Sequence, residues 1–251
     1  MKNIGTLRAC VGSIILLATI FGLPAHAYQG EVFVCSFKGN SDVSDVLKAR
    51  DNYVKQAEKA GVTIPPSFLW SKIKGGSDAD MLWFNFYDNA AQYGALTDAT
   101  AASSSMLAAV DKFYEVIDCD SYLLNQDEVY NGGEELVGET AYIDSHACNY
   151  RKGAGPGSLG DLKAHIKGYL DAAGTHKSFI LFQQNSMTPT SNSPDVRFFG
   201  VHNNATDWGT RQDSLTSTDG GQMLLRHWNA VLDCNTGHWS GQQVIEGPAA
   251  E

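Results

Sequence analysis

The sequence predicts an α+β protein written twice in one chain, and three observations carry that prediction. The hexapeptides VIDCDS (116–121) and VLDCNT (231–236) nearly coincide. The cysteines fall at matching separations, 84 residues from Cys35 to Cys119 and 86 from Cys148 to Cys234. Short apolar, β-branched runs alternate with segments of helical spacing. Other landmarks keep the same order: VFVCSFK (32–38) answers SHACNYR (145–151), LKA (47–49) answers LKA (162–164), and Ala60-Gly61 answers Ala173-Gly174. NAAQYG (89–94) answers NATDWG (204–209), and KFYEVIDC (112–119) answers HWNAVLDC (227–234). Self-similarity of this kind marks an internal repeat.

The elements of the first copy follow in order. EVFVCSF (31–37) is a strand by its apolar, β-branched character. Ser41 or Asp42 is placed to cap SDVLKARDNYVKQAEKAG (44–61), in which Val46, Leu47, Val54 and Ala57 fall close to helical spacing and Gly61 ends the run. PSFLWSKI (66–73) and DMLWFNFYD (80–88) read as strands joined by a Gly-Gly-Ser-Asp turn. SSSMLAAVDKFYEV (103–116) reads as a second helix, and the Cys119 segment as a last strand. The order β-α-β-β-α-β is the ferredoxin-like unit. In that topology the first and last strands are antiparallel neighbours, which sets Cys35 opposite Cys119 and Cys148 opposite Cys234 at disulfide reach. The rival reading, one metal site from four cysteines, lacks any C-x-x-C pair.

Residues 1–27 read as a signal peptide: Lys2 and Arg8, the apolar VGSIILLATIFGL (11–23), then Pro24 and Ala25-His26-Ala27. Cys10 would leave with it, and the exported chain would begin at Tyr28, in the periplasm or secreted, where disulfides persist. No later apolar run is long enough to span a membrane. The first repeat is assigned to 28–124, an acidic linker with Asn-Gly-Gly to 125–140, the second repeat to 141–246 and a tail to 247–251. The leader holds two cations and no acid, so the formal charge of −10 becomes −12 on its removal. That balance argues against nucleic acid, which needs clustered cations.

Two tandem units of this topology resemble the dimeric α+β barrel superfamily, over essentially the whole exported chain. The resemblance implies an intrachain pseudo-dimeric barrel, two ferredoxin-like sheets facing across a lumen with helices outside. The superfamily holds cofactor-free monooxygenases, haem enzymes and proteins without known activity, so it implies no catalytic residue here.

Strand alternation then divides the side chains. Leu82, Phe84 and Phe86, with Arg197, Phe199 and Val201, form the more apolar set and are expected under the helices, with Val34 and Ala147. Phe33, Phe37, Trp83, Asn85 and Tyr87, with His146, Tyr150, Phe198 and His202, are expected to line the lumen as ligand-binding candidates. His146 and His202 are the candidate catalytic pair, since imidazole titrates near neutrality. They also place any single active site in the second repeat, where the first has Phe33 and Tyr87. The glycine-rich KGAGPGSLGDLKAHI (152–166) lacks a P-loop ending, and the acidic pairs at Asp78/Asp80 and Asp118/Asp120 lack the ordered ligand series of a calcium loop. No cofactor is required by the sequence. The reading is an exported protein holding an apolar small molecule in a barrel lumen, or acting as an accessory protein. The alternatives are a small-molecule enzyme, monooxygenase-like or haem-dependent, using the two histidines, and an interaction module using a helix that bears Lys48, Arg50, Lys55 and Lys59.

Overall fold

A helix starts well where a side chain can accept bonds from its first unpaired N–H groups, and ends well where glycine can turn left-handed. Asp42 accepts from the backbone N–H groups of Ser44 and Asp45, and Asp45 accepts from that of Asp42, a reciprocal cap. Gly61, at φ 66°, ends the same helix. Asn89 and Asn204 each cap a further helix with the side-chain oxygen, so the repeated phrases NAAQYG and NATDWG are helix starts.

The computed structural model describes residues 28–76, 78–134, 139–174, 176–187 and 193–246. Its elements run β1 (Tyr28–Phe37), α1 (Val43–Ala60), β2 (Ser67–Gly75), β3 (Met81–Tyr87), α2 (Ala90–Ala102), α3 (Ser104–Val116) and β4 (Ile117–Asn131) in the first half. The second half repeats the order with β5 (Ala141–Tyr150), α4 (Pro156–Ala173), β6 (Phe179–Ser186), β7 (Val196–His202), α5 (Ala205–Ser217), α6 (Asp219–Val231) and β8 (Leu232–Ile245). The eight strands close into one antiparallel barrel, β1-β3-β2-β8-β5-β7-β6-β4. One wall is β4-β1-β3-β2, the other β8-β5-β7-β6, and the seams are β2 with β8 and β4 with β6.

Both cysteine pairs sit in register on neighbouring strands and form disulfides, Cys35 with Cys119 at a Cα separation of 4.1 Å and Cys148 with Cys234 at 4.0 Å. The acidic turns serve the backbone: Asp80 accepts from the N–H of Phe37, and Asp195 from that of Tyr150. No described helix is long and apolar enough to cross a membrane. Residues 1–27, expected as a signal peptide, and the expected tail 247–251 lie outside the described residues.

Three expectations need correction. Each half carries two helices before its last strand, because α2 and α5 precede α3 and α6. The missed α2 buries no residue, and its many alanines and threonines leave little contrast between its faces, so periodicity does not reveal it. Residues 125–131, expected as linker, continue β4 and pair with β6, where Gln126 and Gln184 bond to each other in the barrel. Finally, the two strand faces are exchanged. Leu82, Phe84, Phe86, Phe199 and Val201 pack inside the barrel with Trp70 and Trp239, and Val34 packs against them. Arg197 shares that face, its guanidinium 5.7 Å from the Tyr122 ring. The interior is a filled core, not a ligand lumen, and Phe84 is 0% exposed there. In a closed barrel polar tips must find partners among the strands, as Arg197 does over Tyr122 and Gln126 does with Gln184, so the more apolar set belongs inside, and the mixed set goes under the helices, which can supply partners.

Candidate functional site

Phe33, Phe37 and Trp83 lie on the outer face of the first wall, with Val46 of α1 and Phe113 of α3. Between that wall and α2 and α3 is a cavity of about 430 Å³. The wall supplies Glu31, Phe33, Trp83, Asn85 and Tyr87, and the helices Tyr53, Tyr93, Leu96, Thr97 and Thr100. The size suits a small organic molecule. Four of the sequence candidates, Phe33, Trp83, Asn85 and Tyr87, therefore share one cavity, on the face opposite to the one expected. Phe37 packs nearby without lining it.

Glu31 is the charged group of this site, and sequence reasoning passed over it. Tyr87 Oη donates to its Oε2 at 3.1 Å and Asn85 Nδ2 donates to the same oxygen at 3.3 Å. Asn85 is itself oriented, since its Oδ1 accepts from Trp83 Nε1 and from Ser67 Oγ, each at 2.8 Å. Burial pushes the Glu31 carboxyl above its ordinary range, against the lowering by the Tyr87 and Asn85 bonds. The Tyr87 phenol is pushed up too, by burial first and then by the Glu31 charge. Among the described residues no cation forms an ion pair with Glu31.

The second half solves the same position differently. Asp144 stands in β5 opposite Gly200 of β7, as Glu31 in β1 stands opposite Asn85 of β3. A Cβ on Gly200 would meet Asp144 Oδ1 at 2.2 Å, so glycine here makes room for the carboxylate. His202 Nε2 lies 2.9 Å from Asp144 Oδ1 and His146 Nε2 3.0 Å from Oδ2. Arg211 reaches down from α5 and donates to Oδ2 at 2.6 Å. Asp144 is 1% exposed, and although burial raises its pKa, the Arg211 charge and the histidine bonds hold it well below the usual carboxylate range. Burial depresses the His202 pKa despite the carboxylate. The contact is thus a neutral imidazole donating Nε2–H to an ionised acceptor. His202 also stacks on Phe179 at 4.7 Å, and His146 places Nδ1 3.0 Å from Thr236 Oγ1.

The candidate histidines are thus together on one carboxylate, but neither lines the cavity. The space that is open in the first half holds Arg211 and its partners in the second, which reverses the expectation that the second half hosts the site. Phe198 packs on Trp228 of α6, and Tyr150 lines a separate, polar depression of about 410 Å³ beside Asp127 and Lys163. No group of three or more metal-ligating side chains occurs among the described residues.

No protein-family model and no curated protein matches the sequence. Solved structures do resemble it. A candidate monooxygenase from Fusobacterium nucleatum superposes with a TM-score of 0.56 at 9% identity, covering 91% of this chain and 97% of that one. An anthrone oxidase-like protein gives 0.53 at 12% identity, with 90% and 97% covered. A mutant chlorite dismutase from Candidatus Nitrospira defluvii gives 0.52 at 8% identity, with 86% and 92% covered. At these identities the likeness is one of fold: a closed eight-stranded antiparallel barrel with outer helices, here formed by a single polypeptide and consistent with the dimeric α+β barrel.

Proposed function

We propose that the protein binds a small, largely apolar molecule in the cavity between its first wall and α2 and α3. The observation that carries this reading is a partly open cavity of about 430 Å³ lined by rings and aliphatic side chains around one oriented carboxylate. Phe33, Trp83, Asn85 and Tyr87 contact the ligand, and Glu31 fixes its orientation. Tyr150, Phe198, His146 and His202 do not, since all lie away from the cavity.

An enzyme remains the second reading, and a specific observation favours it: the raised pKa of Glu31 in a cavity suits a proton-transferring group. Under that reading the proton moves at Glu31, with Tyr87 and Asn85 stabilising the carboxylate. His146 and His202 are committed to Asp144 and do not serve it. Haem, which the fold family uses in some members, does not fit the residues present. The cavity lining offers no histidine, its cysteines are the disulfide pair Cys35 and Cys119, and the raised Tyr87 pKa disfavours a phenolate ligand. An interaction role for α1 has less support, because Lys48 pairs with Asp45, and Arg50 with Asp51 and the Val244 carbonyl.

The chain is further read as an exported tandem duplicate of a ferredoxin-like unit. The leader pattern and the two disulfides support export, and the matching strand orders and helix caps support duplication. A titration of the protein with 2-naphthalenemethanol, followed by amide chemical shifts, tests the binding site. Shifts should cluster in β1, β3, α2 and α3; shifts confined to the second half, or none at millimolar probe, would overturn the assignment.

A further inference from the structure

Glu31 is a half-buried carboxylate without an ion-pair partner among the described residues, and the other half shows what a site of this shape holds. A carboxylate removed from water either takes up a proton or meets a cation, since an isolated buried charge is too costly. Asp144 meets a cation. The Arg211 guanidinium bonds Oδ2 at 2.6 Å while its Cζ lies 4.8 Å from the Phe179 ring centre, so carboxylate and aromatic face hold it from two sides.

The position that supplies this cation can be located in the first half. Arg211 is the seventh residue after the capping Asn204, and Leu96 is the seventh after the capping Asn89. Leu96 lines the cavity but brings no charge. The rings around the space are electron-rich, with Tyr53, Trp83, Tyr87 and Tyr93 in the lining and Tyr87 edge-on to Tyr93 at 5.3 Å. A cation over such faces is attracted by their quadrupoles, more strongly when desolvated. The exported chain, at −12, also concentrates cations around itself.

We propose that the ligand of this cavity is an organic cation, an ammonium group on an apolar, ring-sized body, with the ammonium against Glu31 where Arg211 stands against Asp144. The proposal rests on the reading of the cavity as a ligand site and adds the chemical class. Neutral molecules of the same shape bind more weakly because they leave Glu31 unpaired or force it to keep a proton. Anions are rejected.

The test compares 2-naphthalenemethanamine, an ammonium at neutral pH, with 2-naphthalenemethanol by calorimetric titration at pH 7.5. In the wild-type protein the amine should bind about tenfold tighter or better, equivalent to about 1.4 kcal/mol. Glu31→Gln should bring the two affinities together while the alcohol still binds, which shows that the cavity survives the change. Leu96→Arg should place an internal guanidinium beside Glu31 and abolish amine binding. The preference should shrink as pH falls through the raised Glu31 pKa, because the protonated acid no longer pairs with the ammonium. Equal affinities in the wild type, an advantage for the alcohol, or an amine preference that survives Glu31→Gln would each overturn the cation and leave the ligand cavity standing. Failure of both compounds to bind would overturn the cavity reading with it.

Discussion

Asp144 has its two oxygens shared among two histidines and an arginine, with Asp144 and His202 buried and His146 and Arg211 partly so. Removing one member strands the others. Asp144→Ala should cost about 3–5 kcal/mol in urea unfolding, because the largely buried Arg211 guanidinium and the buried His202 lose their partner. Replacing both Asp144 and Arg211 by leucine should cost much less than the sum of the single changes, a coupling that a double-mutant cycle measures. Acid should act in the same direction. Burial and the Arg211 charge push the His176 pKa down to about 4 from 6.5, and His202 is depressed as well. The unfolded chain therefore binds protons below pH 6.5 that the folded protein does not, so stability falls as pH drops from 6.5 towards 4. His176→Gln should flatten that part of the pH profile of the urea midpoint. Sequence reasoning chose His146 and His202 for their titration range, and they do meet. It missed Asp144, Arg211 and Glu31, because a carboxylate two residues before an expected lumen position carries no local signal. The usable signal was the alignment of the halves, which sets Glu31 against Asp144 and Leu96 against Arg211.

Two helices with the same kind of cap have opposite fates. α5 sends Arg211 inward and buries Leu215, whereas α2 buries nothing and roofs the cavity. Elements with few buried contacts open at low free energy. Amide exchange across Ala90–Ala102 should be faster than across Ala205–Ser217, and the cavity ligand should slow it. Asn89→Ala should take about 1 kcal/mol from α2 by removing the bond to the Gln92 N–H, leaving exchange in the barrel strands unchanged. Helix α1 and strands β2 and β3 are legible in the sequence because their caps, turns and apolar runs agree. Helix α2 is not, since alanines and threonines without a buried face give no period. The strand alternation was legible, but its sense was not. Which face is drier depends on the barrel closing, and that is a property of eight strands rather than one.

At the scale of the molecule the interior is set by aromatic packing across the walls. Trp70 of β2 meets Phe84 of β3 at 4.2 Å and Phe199 of β7 at 4.8 Å, so the core joins the halves in addition to the seams. Each disulfide ties the first strand of a half to its last across 84 or 86 residues. Replacing either pair by alanine should lower the unfolding free energy by about 2–5 kcal/mol, measured against the oxidised wild type. The cysteine register foretold the pairing of the first and last strands of each half, since Cys35 meets Cys119 and Cys148 meets Cys234. The seams were less visible, and residues 125–131 looked like a linker because the segment is acidic and its one buried glutamine, Gln126, finds its partner only on β6, at Gln184. The closed barrel spans one polypeptide, and its two outer sites are encoded by different codons. In an assembly of identical subunits every substitution would appear at both sites, so filling one would fill the other. Here Arg211 can seal one flank as permanent scaffolding while the flank beneath α2 is free to change on its own.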